Sequence, residues 1–324
     1  MRAVLRHGCA SRRHIAAARH DAGGRCRVSV SPFLRLSRKN SQLQDNTYRH
    51  PRAGWPGRLL AALANCTRFA AVRQAILSRL PFLPLHSDVR DVVYVSWLVD
   101  AAAAQQLLPA GVTLWQRDGK TPFTVLTYRH GHFGPALPDP LRRLLPSPLQ
   151  SNWRLYLEHT PPGAPAVPCV YFLKNIMDSL PHALGTRLFS DILPTHLAAG
   201  MTLEVSATQA HCSIASGTGS APPLEVQAAI TADHCLNADW QALFGNWHDA
   251  VAFLACQDAA IAHVPRNDKL VFGEIDLPVD LDQVQALTTL RADCGLLGQL
   301  PPVSRPFAFL VPKVPFKALS ERLL

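Results

Sequence analysis

From residue 88 onward, strand-type runs follow one another with few helices between them. DVVYVSWLV (91–99), TPFTVLTYRHGHF (121–133), SNWRLYLEH (151–159) and VPCVYFLKN (167–175) are dense in β-branched and aromatic residues, which favour a pleated, half-buried surface. MTLEVSATQAHCSIA and PPLEVQAAITA follow, joined by SGTGSA, and KLVFGEIDL and RPFAFLVPKV come late. Strands in series without crossover helices predict an antiparallel sheet or barrel, not a doubly wound one. The 27 prolines likewise favour many short elements. Helices are expected after Asp100 (AAAAQQLL), over 178–190 and over 247–261. No G-x-G-x-x-G, P-loop or G-x-S-x-G occurs, which removes the usual support for nucleotide-binding or hydrolase readings.

The charge lies mainly at one end. Of the 32 basic residues, 12 fall in residues 1–52 against 2 acidic ones, leaving 20 against 21 in the rest. The +9 total therefore describes a tail, and no nucleic-acid partner is implied for the neutral remainder. The tail has no secretory or spanning apolar run. Residues 1–54 are expected to be a disordered basic extension, and the location expected is cytoplasmic. Residues 55–85 form a lead-in, with Leu59, Leu63, Phe69, Val72 and Ile76 making a helical stripe between Arg58, Arg68, Arg73 and Arg79. The stripe is expected to pack on its own domain; the alternative is a membrane-peripheral helix over 56–80. The third division is a domain over 86–324. None of the eight cysteines has C-x-x-C spacing, so free thiols are expected and no metal or cofactor is implied.

The order of motifs resembles the YqjF-like bacterial domains of unknown function. A Trp-bearing strand leads to a short helix and Leu108-Pro109-Ala110-Gly111. Then come a strand opening Pro122-Phe123, the Asn152, Arg154, Tyr156 strand, and Val170-Tyr171-Phe172. Arg187, Leu193-Pro194 and Met201 complete the series. The resemblance covers roughly residues 88–313. It implies an α+β, β-dominated fold, an antiparallel β-barrel similar to acetoacetate decarboxylase, with a few peripheral helices. In that enzyme a Pro-Lys-Lys segment follows a comparable corner and a lysine forms a Schiff base. Here the matching residues are Pro194-Thr195-His196, and the chain has only six lysines. A histidine cannot form an imine, so Schiff-base chemistry is not expected unless Lys174 is brought in from the neighbouring strand. FLACQDAAI stands where the family usually has an Arg-Tyr pair.

Strand alternation places Asn152, Arg154, Tyr156 and Glu158 on one face. An inward charged face implies a polar cavity, where Arg154 can hold a small organic acid or pair with Glu158. The resemblance adds Arg187 at the pocket mouth. The leading expectation is a binding protein for a small acidic ligand, with Arg154, Arg187, Tyr156 and Asn152 as contacts. The alternative is a lyase or hydratase using His196 with Glu158 in acid–base roles. His130 and His132, two apart, would share a strand face. The aromatic residues Trp97, Phe123, Phe133, Trp153, Tyr171, Phe172 and Phe307 are expected to build the core, some of them lining a cavity. Oligomeric state is left open.

Overall fold

The computed structural model describes residues 46–324, so the reading of residues 1–54 as disordered lies outside the described residues up to position 45. The lead-in foreseen as one helix is two, α1 (Trp55–Ala64) and α2 (Thr67–Leu77). The break has a local cause. The Asn65 side chain accepts from the Tyr48 amide at 2.8 Å and donates to the Tyr48 carbonyl at 2.9 Å, while Cys66 Sγ caps α2 by accepting from Phe69 N. Such side-chain bonds compete with the helical ladder.

Next come β1 (Leu85–Asp100), α3 (Ala101–Gln105), β2 (Lys120–Arg129), β3 (Gly134–Pro135), α4 (Asp139–Arg142), β4 (Leu149–Tyr156), β5 (Cys169–Met177), α5 (Leu180–Phe189) and β6 (His196–Leu197). A meander follows: β7 (Gly200–Val205), β8 (Gln209–Ala215) and β9 (Leu224–Thr231). Helices α6 (Ala238–Phe244) and α7 (Trp247–Ala255) lead to β10 (Ala259–Val264), β11 (Lys269–Asp276), β12 (Gln285–Cys294) and β13 (Phe307–Leu323). Asp100 caps α3, its carboxylate accepting from Ala103 N at 2.7 Å, as the sequence foretells.

Seven strands close a ring in the order β1-β2-β4-β5-β10-β11-β13 and back to β1. The 17-residue β13 makes the closure. Most of it pairs with β1, and its last third, Lys317 to Leu323, pairs with β11. The barrel is mixed rather than wholly antiparallel, because β5 and β10 run parallel, Cys169 facing Ala259. The chain between them is long enough for a crossover, which parallel pairing requires.

Strands β12-β9-β8-β7 continue from β13 as an outer sheet. The main core lies between this sheet and the barrel wall, where Trp97, Phe123 and Trp153 meet Cys212, Val226 and Leu310. Burying a ring such as Phe123 there contributes roughly 2–3 kcal/mol. Trp240, Trp247 and Leu254 of α6 and α7 pack with Phe309 in a second cluster.

Candidate functional site: a barrel lumen with an enclosed arginine

A cavity of about 1120 Å³ runs from the inside of the ring out to α2 and α5. Its wall is largely apolar, with Val92, Leu126, Phe172, Ala260, Val271 and Val311 among the lining residues. A polar seam runs along it, and Arg73, Asp191, Glu274 and Glu321 line the same hollow. Gln150, Asn152 and Arg154 alternate inward from β4.

Arg154 is 3% exposed. One guanidinium nitrogen donates to the Leu254 carbonyl at 2.6 Å, at the C-terminal end of α7. The group stacks over Tyr94 and Tyr156 at 5.6 and 5.4 Å. The Tyr156 hydroxyl meets the same Leu254 carbonyl at 3.0 Å, and Tyr156 lines a neighbouring hollow with Trp115 rather than the lumen itself. Among the described residues no carboxylate pairs with Arg154, and its Nε has no hydrogen-bond partner. Burial pushes the Tyr94 phenol up to about 12, against a smaller opposing pull from Arg154. Tyr94 is therefore a neutral donor beside the charge.

Toward the other end the seam becomes a hydrogen-bond relay. Gln150 Nε2 donates to Asn152 and Asn175 Oδ1 at 2.9 and 2.8 Å. Its carbonyl is then left to accept from His130 Nε2 at 2.6 Å, which puts the proton on that nitrogen and leaves Nδ1 facing the Ser87 hydroxyl at 2.8 Å. Burial lowers the His130 pKa to about 4 despite the opposing bond to Gln150, so the ring is neutral. Asn152 Nδ2 donates to the Tyr128 hydroxyl at 3.0 Å, and burial raises the Tyr128 pKa. Tyr128 lines the lumen, and its hydroxyl, having accepted this bond, keeps its own hydrogen for another acceptor. Helix α2 borders the mouth through Arg73 and Leu77.

Residues 86–251 match DUF2071, a family described as an uncharacterized conserved protein, over just over half of the chain. The chain belongs to this family. Solved structures share the barrel. An enduracididine biosynthesis enzyme, MppR, complexed with the condensation product of pyruvate and imidazole 4-carboxaldehyde, is 15% identical over 75% of this chain and 89% of that one, with a TM-score of 0.50. Acetoacetate decarboxylase from Legionella pneumophila is 12% identical over 74% and 87%, at 0.48. An acetoacetate decarboxylase-like enzyme from Sphingomonas wittichii is 14% identical over 74% and 92%, at 0.47. At such identities the likeness concerns the fold. No curated protein matches the chain.

In this DUF2071 barrel the residues singled out from the sequence separate. Asn152 and Arg154 face the lumen, while Tyr156 stacks against the Arg154 guanidinium from outside its lining. Glu158 does not join them: β4 ends at Tyr156, and Glu158 turns out to pair with Arg117 at 3.0 Å, beside a different hollow lined by Trp115 and Cys256. Arg187 lies outside the lumen. Its guanidinium bonds the carbonyls of Asn46, Ala64 and Thr195 and stacks over Tyr48, tying residues 46–65 to the corner. His196 is fully buried on the same outer side. Its ring meets Ser220 Oγ at 2.7 Å and Asn46 Oδ1 at 3.3 Å. Burial, with Lys174 and Arg187 nearby, drives its pKa well below the ordinary range. His196 and Glu158 therefore share no site.

Thr195, next to His196 at the corner, is enclosed and bonded to Asn175 and Thr186 at 2.6 and 2.7 Å. Lys174 also turns outward, to Asn46 Oδ1 at 3.0 Å. The cause is a bulge. Pairing of β4 with β5 slips between Trp153↔Lys174 and Arg154↔Phe172, so Leu173 and Lys174 both face out where strict alternation from Phe172 would have turned Lys174 in. Among the described residues no lysine lines the lumen. His130 and His132 do not share a face, because His132 has φ 52 and pairs with Asp88. No group of three His, Cys, Asp or Glu able to hold a metal exists among the described residues. The sequence reading missed Tyr94, Tyr128 and Gln150. Gln150 was in phase with Asn152 and could have been found. Tyr94 sits in a run apolar on both faces, with no alternation to show which face turns inward.

Proposed function

We propose that the barrel holds a small organic acid, with its carboxylate against Arg154 and its hydrocarbon part along the apolar wall. The observation that carries this reading is the enclosed guanidinium without an acidic partner. Enclosing an arginine costs several kcal/mol unless an opposite charge offsets it, and a planar carboxylate fits the open edge of the fork. The hydroxyls of Tyr94 and Tyr128 are neutral donors placed to orient such a group. The apolar wall favours a hydrocarbon chain over a polyol or nucleotide.

A thermal-shift panel of aliphatic and aromatic monocarboxylates, each beside its primary amide, tests this. Acids at 100 times Kd should add about 2.7 kcal/mol of stability, a rise of several degrees in Tm, and the amides should add none. Arg154→Met removes the charge at similar length. It should abolish the response while leaving the unliganded Tm unchanged or raised, since a buried unpaired charge is lost. A purely structural Arg154 would lower that Tm. Equal responses to acids and amides, or a full response in the variant, would falsify the reading.

A further inference from the structure

The apolar stripe of the lead-in does not pack on the domain. Trp55, Leu59 and Leu63 follow one face of α1, and Phe69, Val72 and Ile76 one face of α2. All six are exposed, from 37% for Phe69 to 71% for Trp55. Exposed Leu77 at the end of α2 and exposed Leu80, Phe82 and Leu83 beyond it follow, and these four, with exposed Phe189, border the mouth of the lumen. A soluble monomer rarely shows an apolar patch this long without a partner. The charge around it has one sign. Residues 46–87 contain six arginines, no lysine and no aspartate or glutamate. Arg73 is buried against Asp191, while Arg58, Arg68 and Arg79 are exposed and pair with no carboxylate among the described residues.

From this we infer that the α1–α2 face is a docking surface for an anionic lipid bilayer, which brings the mouth of the lumen against the membrane. The aliphatic and aromatic side chains would enter the acyl boundary and the exposed arginines would meet lipid phosphates, the two contributions that hold interfacial helices. The charge decides between occupants. A second copy of this chain would bring the same arginines and repel, and an apolar groove on another protein would leave them unmatched. No helix among the described residues is long and apolar enough to cross a membrane, so the contact is peripheral.

Co-flotation of the full chain with phosphatidylcholine vesicles, with and without about one third phosphatidylglycerol, tests the inference. The expected result is binding to the anionic vesicles, at least about tenfold weaker on neutral ones and weakened by added salt. The triple variant Leu59→Asp, Val72→Asp, Ile76→Asp should lose binding with an unchanged Tm, because these side chains are already in solvent. Arg58→Ser, Arg68→Ser, Arg79→Ser should lose the preference for anionic lipid. Binding that ignores lipid charge, or survives both variants, overturns the inference. So does a dimer in light scattering that the aspartate variant dissociates, or binding that appears only after residues 1–45 are removed. Arg154→Met should float like the wild type, so the docking face and the acid site can fail separately.

Discussion

Arg154 and His130 sit in the same lumen and meet enclosure in opposite ways. An arginine stays charged at any accessible pH, so its burial calls for a counter-charge. A histidine can discard its proton, and His130 does, with its pKa lowered to about 4 by burial. The sign of the consequence follows. The unfolded chain, with a histidine near 6.5, binds more protons than the native state between pH 6.5 and 4. His130 thus contributes stability that is present above pH 6.5 and lost as pH falls toward 4, on the order of 3 kcal/mol in total. His130→Gln cannot titrate and can still bond Ser87 and Gln150. Thermal melts from pH 7.5 to 4 should therefore show wild type losing stability faster than the variant. His196, shifted the same way, is common to both and cancels in the difference. Parallel pH profiles would show that His130 is solvated or protonated in the fold. At this scale the site was half legible. Arg154 and Asn152 follow from period-two alternation in a polar strand. The outward turn of Lys174 depends on one inserted residue, and the position of a bulge is fixed by pairing with β4, which β5 alone does not encode.

Elements were legible where their local chemistry agreed with their surroundings. Asp100 capping the alanine run and the paired aromatic strands are cases of this. Two failures have the same origin. The helix expected over 247–261 overruns into residues 259–261, because alanine favours helix, yet Ala259–Val264 pairs on both sides as β10. Gln285–Cys294 is polar on one face and was passed over, although β9 fixes it as a strand. Partners supplied by tertiary structure outvoted propensity in both. Helix α2 shows a third kind of context. Its apolar stripe faces away, and its inner face is held by charge: Arg73 and Arg266 both bond Asp191, Arg266 at 2.7 Å. Burial pushes the Asp191 pKa up, but the bonds from Arg266 and Arg73 outweigh it and hold it below the usual range. Asp191→Asn should cost about 3 kcal/mol, because it strands two arginines. Because α2 contributes few side chains to the barrel core, that cost should appear as local opening. Hydrogen exchange is expected to show α2 amides unprotected by about a hundredfold, with β1 and β4 unchanged. Uniform loss across the barrel would mean that the clamp supports the whole fold.

The whole molecule depends on one strand belonging to two neighbours at once. A sheet of seven ring strands and a four-strand extension would have long open edges if laid flat. Here β13 removes one pair of edges by bonding β1 along most of its length and β11 with its end. Its prolines, Pro312 and Pro315, lie within the β1-paired stretch and obscured its continuation past residue 314. The lumen exists only while that seam holds, since opening it would expose Val271 and Val311, now enclosed, to water. Removing Lys317–Leu324 deletes every β11–β13 pair yet takes away few large core side chains. If closure is what maintains the cavity, the shortened chain should lose its cooperative thermal transition, and β11 amides should exchange as an open edge. Carboxylate stabilisation should vanish as well, although Arg154, Tyr94 and Tyr128 are all still present. A truncated protein that still melts in one step and still responds to acids would show that β1, β2, β4 and β5 alone hold the lumen, with β13 only a cover.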